Sequence, residues 1–266
     1  MKTIKATILL PIILLLFCPI FSLAQTIESI ENDLLISLKK IDNFGYLSRR
    51  TEETAFDSLI TENKILKQKI MKYALSNKEI LTYNFPKLKD YQFYKATSPD
   101  KTFCIFSWNL QTGGSMQFYN NVFVYEQYGK MYTYTIEKEE GTPGGFYSEI
   151  FQLTDELNTF YMGCENRILS GRDCYQAVNV FDFEKEEFNT QYSKIKTKSG
   201  FTNTLGFSYN FFSVENHKER PVKLIFFNKS LQTITIPVVD TKGNVTSKNI
   251  IYKYNGDYFV KQNSKK

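Results

Sequence analysis

The hydrophobic period of this chain changes once, near Tyr91, and that change restricts the fold to a short helical part followed by a long sheet part. Upstream, Ile27, Ile30, Leu34, Leu35, Leu38 and Ile41 recur at spacings of three and four, which lines one face of a helix. Asn43–Arg50, with Gly45 inside it, interrupts the pattern. A second helix is expected to open at Thr51 as its N-cap, with Glu52 and Glu53 in the first turn, where carboxylates suit the helix dipole. Its apolar face would carry Phe56, Leu59, Ile60, Leu66, Ile70 and Tyr73, and Asn77 is a reasonable stop. Lys67, Lys69 and Lys72 read as its solvated side.

Downstream the period is two. Tyr132, Tyr134 and Ile136 alternate with Met131, Thr133 and Thr135, and Ile234, Ile236 and Val238 with Thr233, Thr235 and Pro237. Such alternation marks half-buried strands. Turn signals separate them at Ser98-Pro99-Asp100, Tyr128-Gly129-Lys130, Asn228-Lys229-Ser230, Lys242-Gly243-Asn244 and Asn255-Gly256. The last is the strongest two-residue hairpin signal, because Asn-Gly supplies positive φ angles. About a dozen strands with short turns imply antiparallel sheets.

A weak repeat runs through them. Thr97, Thr102, Phe103 and Asn109 return as Thr154, Thr159, Phe160 and Asn166, and Val122 and Val124 as Val178 and Val180. Residues 201–262 read as a third, more diverged unit. Tandem four-stranded units are blade-like, but a closed propeller needs about four or more of them. The expected class is therefore mainly β, as a sandwich or stacked blade-like sheets, preceded by a helical hairpin. The expected division is a leader over 1–24, a hairpin over 25–80 and a β domain over 81–266.

Lys2 and Lys5, the apolar run Ile8–Phe21 and Ser22-Leu23-Ala24 form a secretory signal cleaved before Gln25. Pro11 and Pro19 break the run, which is short for a membrane anchor. Phe17 before Cys18 is too large for a lipid-attachment site. The expectation is an exported chain, periplasmic or extracellular, soluble after cleavage and without an integral membrane segment. Export permits disulfides. Cys164 and Cys174 flank a polar stretch, Glu165–Asp173, between strand-like runs, and are expected to pair across an antiparallel ladder, with two buried free thiols as the alternative. Cys104 lies in the apolar run Phe103-Cys104-Ile105-Phe106 and reads as an inert core residue.

Catalytic signals are sparse. His217 is the only histidine, in the polar turn Glu215–Pro221, so any imidazole base would have to be this residue. No metal-binding spacing occurs, and neither a metal nor a cofactor is expected. The acidic runs Glu137-Lys138-Glu139-Glu140 and Asp182–Glu187 could supply paired carboxylates, although lysines interrupt both. Gly141–Gly145 is glycine-rich but lacks the phosphate-gripping Gly-Lys-Ser/Thr ending. The one candidate ligand platform is Trp108 and Asn109 with the Gly113-Gly114 loop, which would combine ring stacking with hydrogen bonding; Trp108 capping the core is the competing reading. With 33 basic and 28 acidic residues, the charge excess is too small for a nucleic-acid footprint. Protein or glycan is therefore favoured as partner. These features point to a non-enzymatic binding or structural module of the cell envelope or extracellular space, with a carboxylate-dependent glycan hydrolase as the alternative.

Overall fold

The change of period is also a change of layer. A computed structural model describes residues 25–50, 53–136, 141–155, 158–184, 187–214 and 221–263. The leader and the expected Thr51 cap lie outside the described residues. Helix α1 spans Ile27–Ser48 and is capped by Thr26, whose hydroxyl accepts from the Ser29 amide at 3.3 Å. Ile27, Ile30, Leu34, Leu38 and Ile41 form its buried stripe, as their spacing requires. The helix runs straight through Gly45. A Cβ at that position would sit 2.6 Å from Gln111 Cβ, so the glycine admits a passing loop rather than ending the helix.

Helix α2 spans Glu53–Ser76 and buries Leu59, Leu66, Ile70 and Ala74, while Phe56 points outward at 47% exposure. The lysine side is not wholly solvated: Lys69 Nζ lies 2.9 Å from Asp33 Oδ1 and 3.1 Å from Ser37 Oγ. Tyr73 donates to Asp33 Oδ2 at 2.6 Å. These bonds tie the two helices together. Asn77 both follows α2 and caps the short 3-10 turn Lys78–Leu81.

The first sheet is a meander of β1 (Phe93–Thr97), β2 (Phe103–Asn109), β3 (Tyr119–Gln127) and β4 (Lys130–Tyr134). Its β3–β4 hairpin uses Tyr128-Gly129, with φ of 52° and 76° between the paired residues Gln127 and Lys130. Two positive φ angles match strand twist in a two-residue turn. The second sheet contains β5 (Phe146–Thr154), β6 (Thr159–Ile168), β7 (Asp173–Glu184) and the short β8 (Glu187–Asn189). Strands β9 (Ile195–Thr197) and β10 (Gly200–Thr202) leave for the third sheet, and β11 (Thr204–Asn210) returns to the edge of the second. Strands β12 (Phe226–Asn228), β13 (Thr233–Val239), β14 (Val245–Tyr254) and β15 (Phe259–Lys261) complete the third. Asn255-Gly256 sits in a four-residue loop before β15, not in a two-residue turn.

The layers stack as helices, first sheet, second sheet and third sheet. Phe93, Cys104, Phe106, Trp108, Val122 and Val124 pack under the helices. The alternate residues Phe103, Ile105, Phe123 and Tyr125 face the second sheet. All seven residues of β2 are buried because it is covered on both faces. Phe160, Met162, Val178 and Val180 face Ile234, Ile236, Tyr252 and Phe259 of the third sheet. The repeat corresponds to the first two sheets, each with its own hairpin order, but the register differs. Thr97 pairs with Cys104, whereas Thr154 pairs with Thr159. The third unit is β12–β15, with β9 and β10 added at one edge.

The expected disulfide is corrected by this register. Cys164 lies opposite Val178, and Cys174 opposite Ile168. The two cysteines are four ladder pairs apart, about 13 Å at strand rise, well beyond disulfide reach. Cys104, Cys164 and Cys174 are all free and buried. No described helix is long and apolar enough to cross a membrane.

Candidate functional site

Strand β6 shows how a site arises from alternation. Its residues Tyr161, Glu165 and Arg167 share the side that faces the first sheet, while Phe160, Met162 and Cys164 face the third. Near β8 the face between the first two sheets is aromatic, filled by Phe103, Phe123, Tyr125, Phe181 and Phe188. Toward the other end it becomes polar. Tyr147 lies directly across from Glu165, and Gly163 across from Asn179, which in turn pairs with Thr204. From the first sheet come Ser107 and its cross-strand partner Asn121. Of these, Asn121, Tyr147, Glu165, Arg167, Asn179 and Thr204 line a cavity of about 360 Å³ that residues 142–144 and 190–191 also border. Gly145 is needed here, because a Cβ would stand 2.6 Å from Glu165 Oε1 and 2.7 Å from the Asn166 carbonyl.

Glu165 is only 5% exposed. Its Oε1 accepts from Arg167 Nε at 2.8 Å, and its Oε2 from Arg167 Nη2 at 3.0 Å and Asn179 Nδ2 at 2.9 Å. Asn179 Nδ2 also reaches the Tyr147 hydroxyl at 3.1 Å, and Thr204 donates to Asn179 Oδ1 at 2.9 Å. The Arg167 guanidinium lies 5.2 Å from the Tyr175 ring centroid. A forked Arg–carboxylate pair is the geometry that best compensates buried charge. Burial opposes the Arg167 charge, but the hydrogen bond and charge of Glu165 outweigh it and raise its pKa. Burial, followed by the Glu165 charge, pushes the Tyr147 phenol well above its ordinary range. Tyr147 therefore stays a donor through neutral pH.

Two buried groups here stand out for unused hydrogen-bonding capacity, Asn121 and Tyr147. Asn121 Nδ2 donates to the Gly145 carbonyl at 3.1 Å, but Asn121 Oδ1 is buried and has no partner. The Tyr147 hydroxyl accepts from Asn179, and its own proton meets no acceptor among the described residues. An orphaned acceptor in a folded protein requires an explanation.

The sequence-derived platform is dispersed. Trp108 is fully buried beneath the helices, with Nε1 donating to Asn63 Oδ1 at 2.9 Å, so it offers no ring face to a ligand. Asn109 is drawn into a network in which its Nδ2 donates to Gln92 Oε1 at 2.7 Å and Gln117 Oε1 at 3.2 Å. Gly113 lies in a tight loop, where a Cβ would meet the Met116 carbonyl at 2.1 Å, and Gly114 faces open space. Gln92 and Gln117 border a separate, more open hollow with Tyr94, Tyr119 and Phe212. Burial pushes the Cys104 and Cys164 thiols up to about 12, which leaves no thiolate for nucleophilic chemistry at neutral pH. His217 and Glu137–Glu140 lie outside the described residues. Asp182 is buried and accepts from the Phe183 amide at 2.8 Å, and Glu187 is exposed. Glu165, Arg167, Tyr147, Asn179 and Asn121 escaped the sequence reading, although β6 carries the alternation that would have put Glu165 and Arg167 on one face. Compared with known proteins, the chain matches no family model and no curated protein sequence.

Proposed function

We infer that the protein is an exported, non-enzymatic binding module and that the cleft between its first two sheets is the ligand site. The observation that carries this reading is the buried Asn121 Oδ1 without a partner, at a cavity where the Glu165–Arg167 pair holds Asn179 and Asn179 in turn holds the Tyr147 hydroxyl. Small-molecule sites combine a largely apolar, pre-formed cavity with a few oriented polar groups. Here Phe181 and Tyr147 supply the apolar wall and Arg167, Asn121 and Asn179 the orientation. Export rests on the leader pattern of residues 1–24.

The hydrolase alternative asks for two carboxylates about 5–10 Å apart in one cleft. Glu165 is the only carboxylate among the described residues of this cleft, and both its oxygens are held by Arg167. That arrangement favours binding over acid–base work.

The test is thermal melting of residues 25–266 with saccharides, amino acids, short peptides and nucleotides, repeated on Glu165→Gln. A ligand at a hundred times its Kd raises native stability by about 2.7 kcal/mol, or roughly 5–11 °C for a chain of this size. The expected result is a shift with one ligand class in the wild type that Glu165→Gln abolishes. A shift that survives Glu165→Gln unchanged would move the site elsewhere, and turnover of any ligand would overturn the non-enzymatic reading.

A further inference from the structure

The cleft's hydrogen-bonding inventory restricts what it can hold. Glu165 and Arg167 neutralise each other at 2.8 and 3.0 Å, so the described lining residues present no net charge to a ligand. An anion would compete with Glu165 for Arg167, and a cation would compete with Arg167 and Asn179 for Glu165. Among the described lining residues the open groups include the acceptor Asn121 Oδ1, the Tyr147 hydroxyl proton, the Arg167 Nη1 group, which makes no bond to Glu165, and the Gln191 side-chain amide. A neutral ligand that both donates and accepts at closely spaced points suits this mixed set. A hydroxyl does both, with one proton and two lone pairs. Several hydroxyls on adjacent carbons do so over the short span between the two sheets. The Tyr147 and Phe181 rings along the wall suit the apolar C–H face of a sugar ring.

We propose that the ligand of this cleft is a neutral saccharide, bound through adjacent hydroxyls that donate to Asn121 Oδ1 and accept from Tyr147 and Arg167. The proposal rests on the cleft being a binding site, as inferred above. The cavity, about 360 Å³, lies in the size range of small-molecule sites and suits one sugar ring with its substituents, so a longer glycan would enter by its end. Gly144, Pro143 and Thr142 border the opening on one side, and Thr190 and Gln191 on the other.

The experiment is saturation-transfer difference NMR on the full mature chain. The probes are neutral hexoses, N-acetylhexosamines and their disaccharides, with sugar phosphates, amino acids and dipeptides alongside. The variant is Tyr147→Phe, which keeps the ring in the wall and leaves Asn179 its bond to Glu165 Oε2 at 2.9 Å. Its fold is verified by its melting curve. The expected result is ring-proton saturation of at least one neutral saccharide, with affinity about five- to tenfold weaker in Tyr147→Phe, the loss of one hydrogen bond. If amino acids, dipeptides or phosphates bind in a Tyr147-dependent way while no neutral saccharide does, the cleft remains a binding site and the saccharide assignment is overturned. Saccharide binding that ignores Tyr147→Phe would also overturn it, by placing the sugar elsewhere. If no probe binds, the saccharide assignment and the binding reading fall together.

Discussion

The second sheet has two faces, and they are built on opposite principles. Toward the third sheet it presents Phe151, Leu153, Phe160, Met162, Val178 and Val180 against Ile195, Ile225, Ile234, Ile236 and Phe259. The polar tie Tyr254–Asp155 completes that contact. Toward the first sheet, one end is aromatic and the other is given to Glu165, Arg167, Asn179, Tyr147 and Asn121 around a cavity. One strand, β6, serves both faces by alternation. The apolar face shows what this chain does when it needs only cohesion. The polar face centres on the buried Glu165–Arg167 pair, whereas orphaned amide oxygens occur on both faces, Asn121 Oδ1 toward the cleft and Gln176 Oε1 toward the third sheet. Replacing a buried ion pair with well-packed apolar residues is often neutral or stabilising.

The largest effect is expected on the cohesive face. Phe160 is fully buried, with its ring 5.7 Å from that of Tyr254 and 6.0 Å from that of Tyr192. Phe160→Ala removes this and leaves a cavity, at a cost of about 3–5 kcal/mol. Guanidinium unfolding would read it as a lower midpoint. Ligand binding by the folded fraction is expected to be unchanged, because the cleft lies on the other side of the sheet. A variant that lost affinity in proportion to stability would erase the distinction between the two faces.

The polar face is expected to respond asymmetrically. Arg167→Leu leaves Glu165, with its side chain 6% exposed, charged and bonded only to Asn179. A cost of about 3 kcal/mol follows from breaking a buried pair on one side. Glu165→Leu strands Arg167 instead, but that side chain is 36% exposed and can turn to water, so about 1–2 kcal/mol is expected. The double variant Glu165→Leu/Arg167→Leu is expected to recover most of the loss while binding nothing. Unfolding curves of the four proteins form the cycle. A double variant whose loss equals the sum of the singles would show the two charges to be uncoupled and would remove the pair as the organiser of the cleft.

Much of the layering was readable in the residues, and the cleft was not. The period change near Tyr91 and the recurrence of Thr97, Phe103, Val122 and Val124 anticipated a helical pair and repeated sheets, because alternation is a direct image of a sheet's two faces. It also explains why Cys104 reads as core, since β2 is buried on both sides. The helix docking was hidden because Trp108, Cys104 and Phe106 share one unbroken apolar run with the residues of the opposite face. The cleft was hidden by a different ambiguity. Cys164-Glu165-Asn166-Arg167 looks like the start of a polar loop, and that reading bracketed the stretch with a disulfide. In the structure the strand continues to Ile168, so the same polar residues alternate between faces. Polar content in a strand is a signal of burial with partners only when the partners, here Asn121, Tyr147 and Asn179, come from elsewhere in the chain. That depends on tertiary register, which no local window contains.

The smallest effect is expected at the rim of the cohesive face. Tyr254 is 4% exposed and donates to Asp155 Oδ2 at 2.7 Å, with Lys194 Nζ 3.7 Å from the same oxygen. Tyr254→Phe is expected to cost about 1.5 kcal/mol, the scale of a hydrogen bond to a charged group, because Asp155 keeps Lys194 and the Asn158 amide as partners. Burial, then the bond to Asp155, raises the Tyr254 pKa above its ordinary 10.0. The folded state thus holds this proton after the unfolded state has released it. The contribution is complete below the unfolded pKa and is lost as pH rises through the folded one. Unfolding midpoints taken from neutral pH to above pH 10 are expected to show the gap between wild type and Tyr254→Phe narrowing at the alkaline end. A gap that stayed constant across that range would mean that the phenol does not keep its proton against Asp155. The polar tie of the cohesive face would then be packing alone, and ionic and hydrogen-bonded burial would be confined to the cleft.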